Sequence, residues 1–155
     1  MSNEIKAKYG ASTPIGITLA GLAGSAAGVG RQSALIDNSS SRFGLIHLFV
    51  KVTLGTNPAS NKTVQVYLLL GDGSGLQTDG AGTADAAITV KNAPLLGVLA
   101  SGGAATTGDV LQKHFAIHEP GPRWAVAIVH DTGVPLGGTA ENHAVRYVGD
   151  NPEVQ

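Results

Sequence analysis

Five histidines are the residues of this chain best suited to binding a transition metal. His114 and His118 are four residues apart, a spacing that on a helix would place both imidazoles beside one ion. The surrounding segment alternates as a strand, in which four residues span about 13 Å, so one ion could bridge them only if the strand ended or bent. His47, His130 and His143 each stand alone at strand positions. We therefore expect ordinary strand histidines and no metal or cofactor.

Three aspartates, Asp72, Asp79 and Asp85, lie in the glycine-rich stretch Gly71–Ala87. Carboxylates on glycine-enabled turns can wrap a calcium ion. An EF-hand loop beginning at Asp72 would place Leu76 at its fifth position, where a ligand oxygen is required, so that pattern fails. A looser cation site stays open as an alternative. The commoner use of aspartate in tight turns is to accept hydrogen bonds from nearby backbone N–H groups.

Motifs for other chemistries do not match. The glycine-rich segment Gly21–Gly30 is followed by an apparent strand, Arg31–Asp37, whereas a dinucleotide fingerprint requires a helix there. The chain has no P-loop, no G-x-S-x-G elbow and no cysteine. Trp124 opens the most apolar strand, where core packing is the expected role and carbohydrate stacking is the alternative. We expect no enzymatic activity.

Two long segments have an apolar residue at every second position, and these are the elements that would position a functional site. In Phe43–Leu54 an apolar residue stands at every second position from Ile46, and Lys62–Leu70 repeats the pattern from Val64. Because successive strand side chains point to opposite faces, each segment has one apolar face. The connection Gly55–Asn61 consists of turn-forming residues. The pattern predicts a β-hairpin lying over a core.

The second face of this predicted hairpin is too apolar to be left in water. Its side chains Leu45, Phe49, Tyr67 and Leu69 predict a subunit interface. The alternative is that another strand of the same chain buries them.

The rest of the chain reads as further short strands between turns, with no sustained helical period. The predicted strands are Pro14–Leu22, Arg31–Asp37, Ile88–Val90, Leu95–Ala100, Val110–Ile117, Arg123–His130 and His143–Val148. The run at Arg123–His130 is continuously apolar, as expected for a strand buried on both faces. About eight antiparallel strands indicate an all-β, jelly-roll-like β-sandwich at residues 13–149. Residues 1–12 are expected to form a flexible or docking arm, and 150–155 a polar tail.

Composition limits the class of partner. Of 155 residues, 14% are charged, against a usual figure of about 25%, and 43% are hydrophobic. The formal net charge of −1 gives no basic footprint for nucleic acid. No apolar stretch is long enough for a transmembrane helix, and the first residues lack an apolar signal core. The chain is either a weakly charged soluble domain or, as we favour, a subunit whose surface is largely covered by contacts.

Three segments resemble small virion proteins of tailed bacteriophages, namely GRQSALIDNSSS, KTVQVYLLLGDGSGLQTDGAGTADAA and RWAVAIVHDTGVPLGGTAENHAVRYVG. The chain is most similar to their jelly-roll cement, or head-decoration, proteins. This resemblance implies a non-enzymatic protein that is made in the host cytoplasm and bridges major capsid subunits on the outer surface of the head. It also implies self-association as a dimer or trimer. The arm and the loop with Asp72, Asp79 and Asp85 are then the expected capsid contacts.

Other functions remain open from the sequence. The main alternative is a phage tail or receptor-binding module that recognises sugar or protein. A tail-tube or head–tail connector subunit and, less favoured, a hydrolase are further alternatives.

Overall fold

The computed structural model describes residues 5–24, 28–75 and 82–154, and these contain eleven β-strands. A 3₁₀ turn at Ala140–Asn142 is the one helical element of the described chain. The strands are β1 (Ile5–Tyr9), β2 (Thr13–Pro14), β3 (Val29–Gln32), β4 (Ile36–Asp37), β5 (Leu45–Thr53), β6 (Thr63–Gly71), β7 (Ala86–Ala87), β8 (Leu95–Ala100), β9 (Val110–His118), β10 (Arg123–His130) and β11 (Ala144–Val154).

The strands form two antiparallel sheets. In sheet A the order is β1, β11, β5, β9, with β2 also paired to β11. In sheet B the order is β7, β3, β10, β6, β8, with β4 also paired to β10. The predicted all-β sandwich is therefore confirmed. The described residues include no helix long and apolar enough to cross a membrane.

The order of strands is that of a jelly roll. Eight principal strands remain when β1 and β2 are counted as one interrupted strand, β3 and β4 as another, and the short β7 is left out. Sheet A then holds the first, eighth, third and sixth of these in spatial order, and sheet B the second, seventh, fourth and fifth. This arrangement is the double Greek key that gives the jelly roll its two sheets.

The predicted hairpin between the two strongest strands is wrong. β5 pairs with β9 and β11 in sheet A, whereas β6 pairs with β8 and β10 in sheet B. The connection between them crosses from one layer to the other and is fixed by backbone hydrogen bonds such as Ala59 N–H to the Thr132 carbonyl, 2.9 Å. Both apolar faces point into the same core from opposite sides, and alternation alone does not distinguish that arrangement from a hairpin.

The core lies between the sheets and contains the inward side chains of the long strands. Its fully buried members include Ile46, Leu48 and Val52 of β5, Val64 and Val66 of β6, Ile117 of β9, and Trp124, Val126 and Ile128 of β10. The Trp124 ring meets the edge of Tyr147 from sheet A, with ring centroids 5.3 Å apart at 84°. This contact joins the two layers.

The outer side of sheet B is covered by the chain itself. Val90 and Ala93, from the segment before β8, pack with Leu69, Ala125 and Tyr67 in a second apolar cluster. β10 is consequently buried on both faces, as its continuous apolar run predicts. Leu69 is fully buried within the chain, as the alternative interpretation predicts, and Tyr67 is half-buried against the same cluster.

Several weaker strand predictions need correction. Pro14–Leu22 is not a strand beyond Pro14, although Leu19 and Leu22 are buried as side chains of a crossing segment. Arg31–Asp37 is split into β3 and β4 because the Ser33 hydroxyl accepts the hydrogen bond of the Val126 N–H, 3.1 Å, where a strand carbonyl would otherwise do so. A strand forms at β7 and not at Ile88–Val90.

The first and last strands of the described chain both belong to sheet A. β1 pairs with the last residues of β11 from Tyr9 opposite Asp150 to Ile5 opposite Val154. β5 begins at Leu45, also opposite Asp150, so the rest of β11 and β1 extend beyond that end of β5 as a two-stranded ribbon. All five side chains of β1 are exposed. Residues 5–9 of the predicted arm and 150–154 of the predicted polar tail therefore form a paired extension.

Candidate functional site

The outer side of sheet A differs from that of sheet B because its outward side chains on β9 are exposed and no second apolar cluster of the described residues covers it. We call this surface the open face. It comprises Leu45, His47, Phe49 and Lys51 of β5, Gln112, His114, Ala116 and His118 of β9, and Ala144, Arg146, Val148 and Asp150 of β11. Phe49, at its centre, is 46% exposed, an unusual environment for a large aromatic side chain.

Four rings form a row across the open face and the adjoining strand β1. Tyr9 and His47 have ring centroids 5.9 Å apart, His47 and His114 5.2 Å, and His114 and Phe49 5.0 Å. The sheet register creates the row, since Phe49 is directly opposite His114 and His47 is diagonal to it. We call these four residues the aromatic row.

The two histidines of the row are hydrogen-bonded to each other. His47 Nδ1 lies 3.0 Å from His114 Nε2, so one ring donates and the other accepts. The ring centroids are 5.2 Å apart, which is close to the nitrogen–nitrogen distance of 3.0 Å plus the radii of the two rings. The two rings therefore meet end to end. The bond fixes the orientation of both side chains beside Phe49.

A groove with a volume of about 440 Å³ runs beside Phe49. It is lined by Phe49, Val50, Lys51, Gln112, Lys113, His114, Ala144 and Arg146. Three of these residues are cationic, and no carboxylate is among them. The Lys113 ammonium donates to the Val98 carbonyl on the edge of sheet B, 3.1 Å. Arg146 donates from Nε and Nη2 to the hydroxyl and carbonyl of Ser12, each at 3.0 Å.

Among the described residues, the cations of the open face lack acidic partners. The ion pairs of that part of the chain lie elsewhere and are Lys8–Glu153, Arg31–Asp85, Lys62–Asp131 and Arg123–Asp37. Within the described ranges, neither Lys51 nor Arg146 has a carboxylate oxygen within 4 Å. The open face therefore combines an exposed aromatic side chain with unneutralised positive charge.

Of the three predicted capsid-contact aspartates, the two that the structure describes are held by different hydrogen-bond partners. Asp72 folds its own turn, since its Oδ1 accepts hydrogen bonds from the Ser74 and Gly75 N–H groups at 2.7 and 3.0 Å. Asp85 accepts from Arg31 Nε and from the Ala23 N–H. These bonds, that from Arg31 first, lower the pKa of Asp85. Asp79 lies outside the described residues.

The predictions for single histidines and for Trp124 have mixed outcomes. His47 is not solitary, because the pairing of β5 with β9 brings it to His114. His118 is four strand residues beyond His114, and no group of three or more histidine or acidic side chains able to hold a metal occurs among the described residues. Trp124 is fully buried, so its indole cannot stack on a sugar, and its Nε1 has no described hydrogen-bond partner.

His130 is a buried structural histidine at the end of β10. Its Nε2 donates to the Ala23 carbonyl, 2.9 Å, and its Nδ1 lies 2.9 Å from the Thr132 hydroxyl. A Cβ atom at Gly24 would overlap both the imidazole and the Val134 carbonyl, so glycine is required there. Burial lowers the pKa of His130, because the charged imidazolium is poorly solvated in this position.

We expect His130 to make the protein less stable in mild acid. The unfolded chain binds the proton at the ordinary histidine pKa of about 6.5 and the folded chain only at lower pH. The contribution of neutral His130 is therefore complete above about pH 6.5 and is lost as the pH falls. Urea denaturation at a series of pH values should show a smaller slope of unfolding free energy against pH in His130→Gln than in the wild type.

Gln112→Asn, at an exposed position of β9, is the control, and it should keep the wild-type slope because neither side chain titrates. An identical slope in His130→Gln and the wild type would contradict the assignment. If His130→Gln does not fold, the NMR titration of the His130 ring in the wild type gives the same answer, because a pKa at or above the unfolded value would be inconsistent with it.

Comparison with known proteins adds no family assignment: no family model matches the chain, and the search of curated proteins returned no match.

Proposed function

We propose that this chain is a structural protein of a bacteriophage particle, a capsid cement or decoration protein that bridges major capsid subunits on the outer surface of the head. The observation that carries the proposal is the asymmetry of the two sheets. Sheet B is covered by its own chain, whereas sheet A presents a central, 46% exposed Phe49 and a flanking groove. An exposed apolar centre with a polar rim is typical of a protein-binding surface.

Two further features support this role. The jelly roll is an architecture used by viral capsid proteins, although fold alone does not determine function. The ribbon of β1 and the end of β11 extends sheet A by a strand pair whose Ile5 and Tyr9 side chains are 73% and 65% exposed. Such a ribbon can add to the contact area of the open face, because Tyr9 continues the aromatic row.

Repetition makes this arrangement effective even if each contact is weak. A decoration protein that self-associates as a dimer or trimer engages several shell subunits at once, so the second contact is intramolecular. The avidity that results can exceed the single-site affinity by a factor of about 10²–10⁴.

Cosedimentation with assembled heads tests the proposed function. Heads of the phage that encodes the chain, produced without this protein, should bind purified wild-type protein to a fixed saturating ratio and should then withstand higher temperature before releasing DNA. A protein that stays in the supernatant at every ratio would overturn the proposal.

A receptor-binding module that recognises sugar is the second candidate, because Phe49 beside the groove could stack on a saccharide ring. A glycan array separates the two functions. Selective binding that Phe49→Ser abolishes would favour the receptor module, and the absence of selective binding would favour the cement protein.

A further inference from the structure

We infer that the open face docks against an acidic, partly apolar segment of a protein partner and not against a second copy of this chain. Naming the capsid shell as the source of that segment rests on the proposed function. The chemistry of the partner rests on the side chains of the open face alone.

The charge of the open face is positive and unbalanced. Lys51 lies two residues beyond Phe49 on β5, and Arg146 lies opposite Phe49 on the neighbouring strand β11. Asp150 is the one carboxylate of this face, and its Oδ1 is buried without a hydrogen-bond partner among the described residues. A carboxylate-bearing partner supplies the charge that the face lacks.

A symmetric contact between two open faces would be unfavourable. In a two-fold contact the same patch lies on both sides, so each copy would bring Lys51 and Arg146 towards those of the other. Like charges placed opposite one another across an interface cost several kcal/mol. Self-association of this chain therefore uses a different surface.

The size and the lining of the groove further restrict which partner segments can bind. Its volume of about 440 Å³ is sufficient for a few side chains. Across β5 and β11 the groove pairs apolar Phe49 with cationic Arg146 and apolar Ala144 with cationic Lys51, which matches a segment that alternates apolar and acidic residues. A nucleic acid would require many more phosphate contacts than these cations provide, and the chain carries a net charge of −1.

Amide chemical-shift mapping by NMR on the isotope-labelled protein tests the inference with three unlabelled probes: a short synthetic peptide that alternates glutamate with leucine, a double-stranded DNA, and heparin. The peptide should shift the amides around Phe49, Lys51 and His114, and added salt should weaken its binding. Lys51→Glu and Phe49→Ser should each reduce its affinity about tenfold, or 1.4 kcal/mol.

Two matched variants control for charge and for apolar surface. Lys91→Glu makes the same charge change at an exposed position away from the open face, and Leu95→Ser removes a side chain with 51% exposure from sheet B. Both should bind the peptide as the wild type does. Circular dichroism confirms that each variant is folded.

Three results would overturn the inference: peptide shifts away from the open face, an equal loss of affinity in the control variants, or DNA or heparin binding at the open face in place of the peptide. The proposed function fails separately. If wild-type protein binds heads and Lys51→Glu and Phe49→Ser bind them equally well, the inference is wrong and the cement role stands. If the peptide maps to the open face but heads are not bound, the cement role is wrong and the inferred chemistry stands.

Discussion

Replacing Trp124 by alanine should lower the free energy of unfolding by about 3–5 kcal/mol. The indole is fully buried between the sheets, and its edge contact with Tyr147 joins β10 of sheet B to β11 of sheet A. Alanine would leave a cavity at the point where the layers meet, because neighbouring strands fixed by sheet hydrogen bonds cannot move in to fill it. Because Trp124 is the only tryptophan, its fluorescence cannot be used to follow the variant. Urea denaturation followed by far-ultraviolet circular dichroism measures the loss of unfolding free energy instead.

Trp124→Phe is the matched control for this prediction. Phenylalanine keeps a ring against Tyr147 and removes an indole N–H that has no described hydrogen-bond partner, so the loss should be only about 1–2 kcal/mol. A loss below about 1 kcal/mol in Trp124→Ala would show that this residue does not join the two layers.

Gly55→Ala should destabilise the protein by about 3 kcal/mol or more. Gly55 begins the connection that carries the chain from β5 in sheet A to β6 in sheet B. A Cβ atom there would overlap the Pro135 carbonyl oxygen, which is backbone and cannot rotate away. The connection would have to shift, and with it the hydrogen bond from the Ala59 N–H to the Thr132 carbonyl.

Gly138→Ala controls for the intrinsic effect of alanine, because a Cβ atom at Gly138 has no neighbour within 4 Å. Its unfolding free energy should stay within about 1 kcal/mol of the wild-type value. Equal stabilities of Gly55→Ala and Gly138→Ala in the same urea series would contradict the crossing that the structure shows.

The fold class could be predicted from the sequence because it depends on local alternation. Every second residue of β5 from Ile46 is buried, and the uninterrupted apolar run of β10 is buried on both faces. These patterns depend only on which side of a strand faces apolar surroundings. They are therefore the same whichever strands pair with one another.

Strand pairing could not be predicted in the same way, because it depends on contacts between distant segments. The connection after β5 has the composition of a hairpin turn but crosses between sheets, so Phe49 and Leu69 lie on opposite sides of the molecule. The bond between His47 and His114 joins residues 67 positions apart and requires the register of β5 with β9. The one sequence signal for this bond is the alternation of β9, which predicts that the His114 side chain points outward.

The candidate site was therefore predicted in part. Leu45 and Phe49 do lie on an uncovered face, but nothing in the sequence singles out Lys51 and Arg146, which give that face its positive charge. Their significance arises from the absence of nearby carboxylates in the described chain, and this is a property of the folded surface.

An electron cryo-microscopy reconstruction of the assembled phage head tests most directly whether the open face is the docking surface. Our account predicts one jelly-roll density at each occupied position on the outside of the shell, with sheet A towards the shell, Phe49 covered and Lys51 beside a shell carboxylate. A head without this density, or one in which the open face points to solvent while sheet B meets the shell, would contradict it.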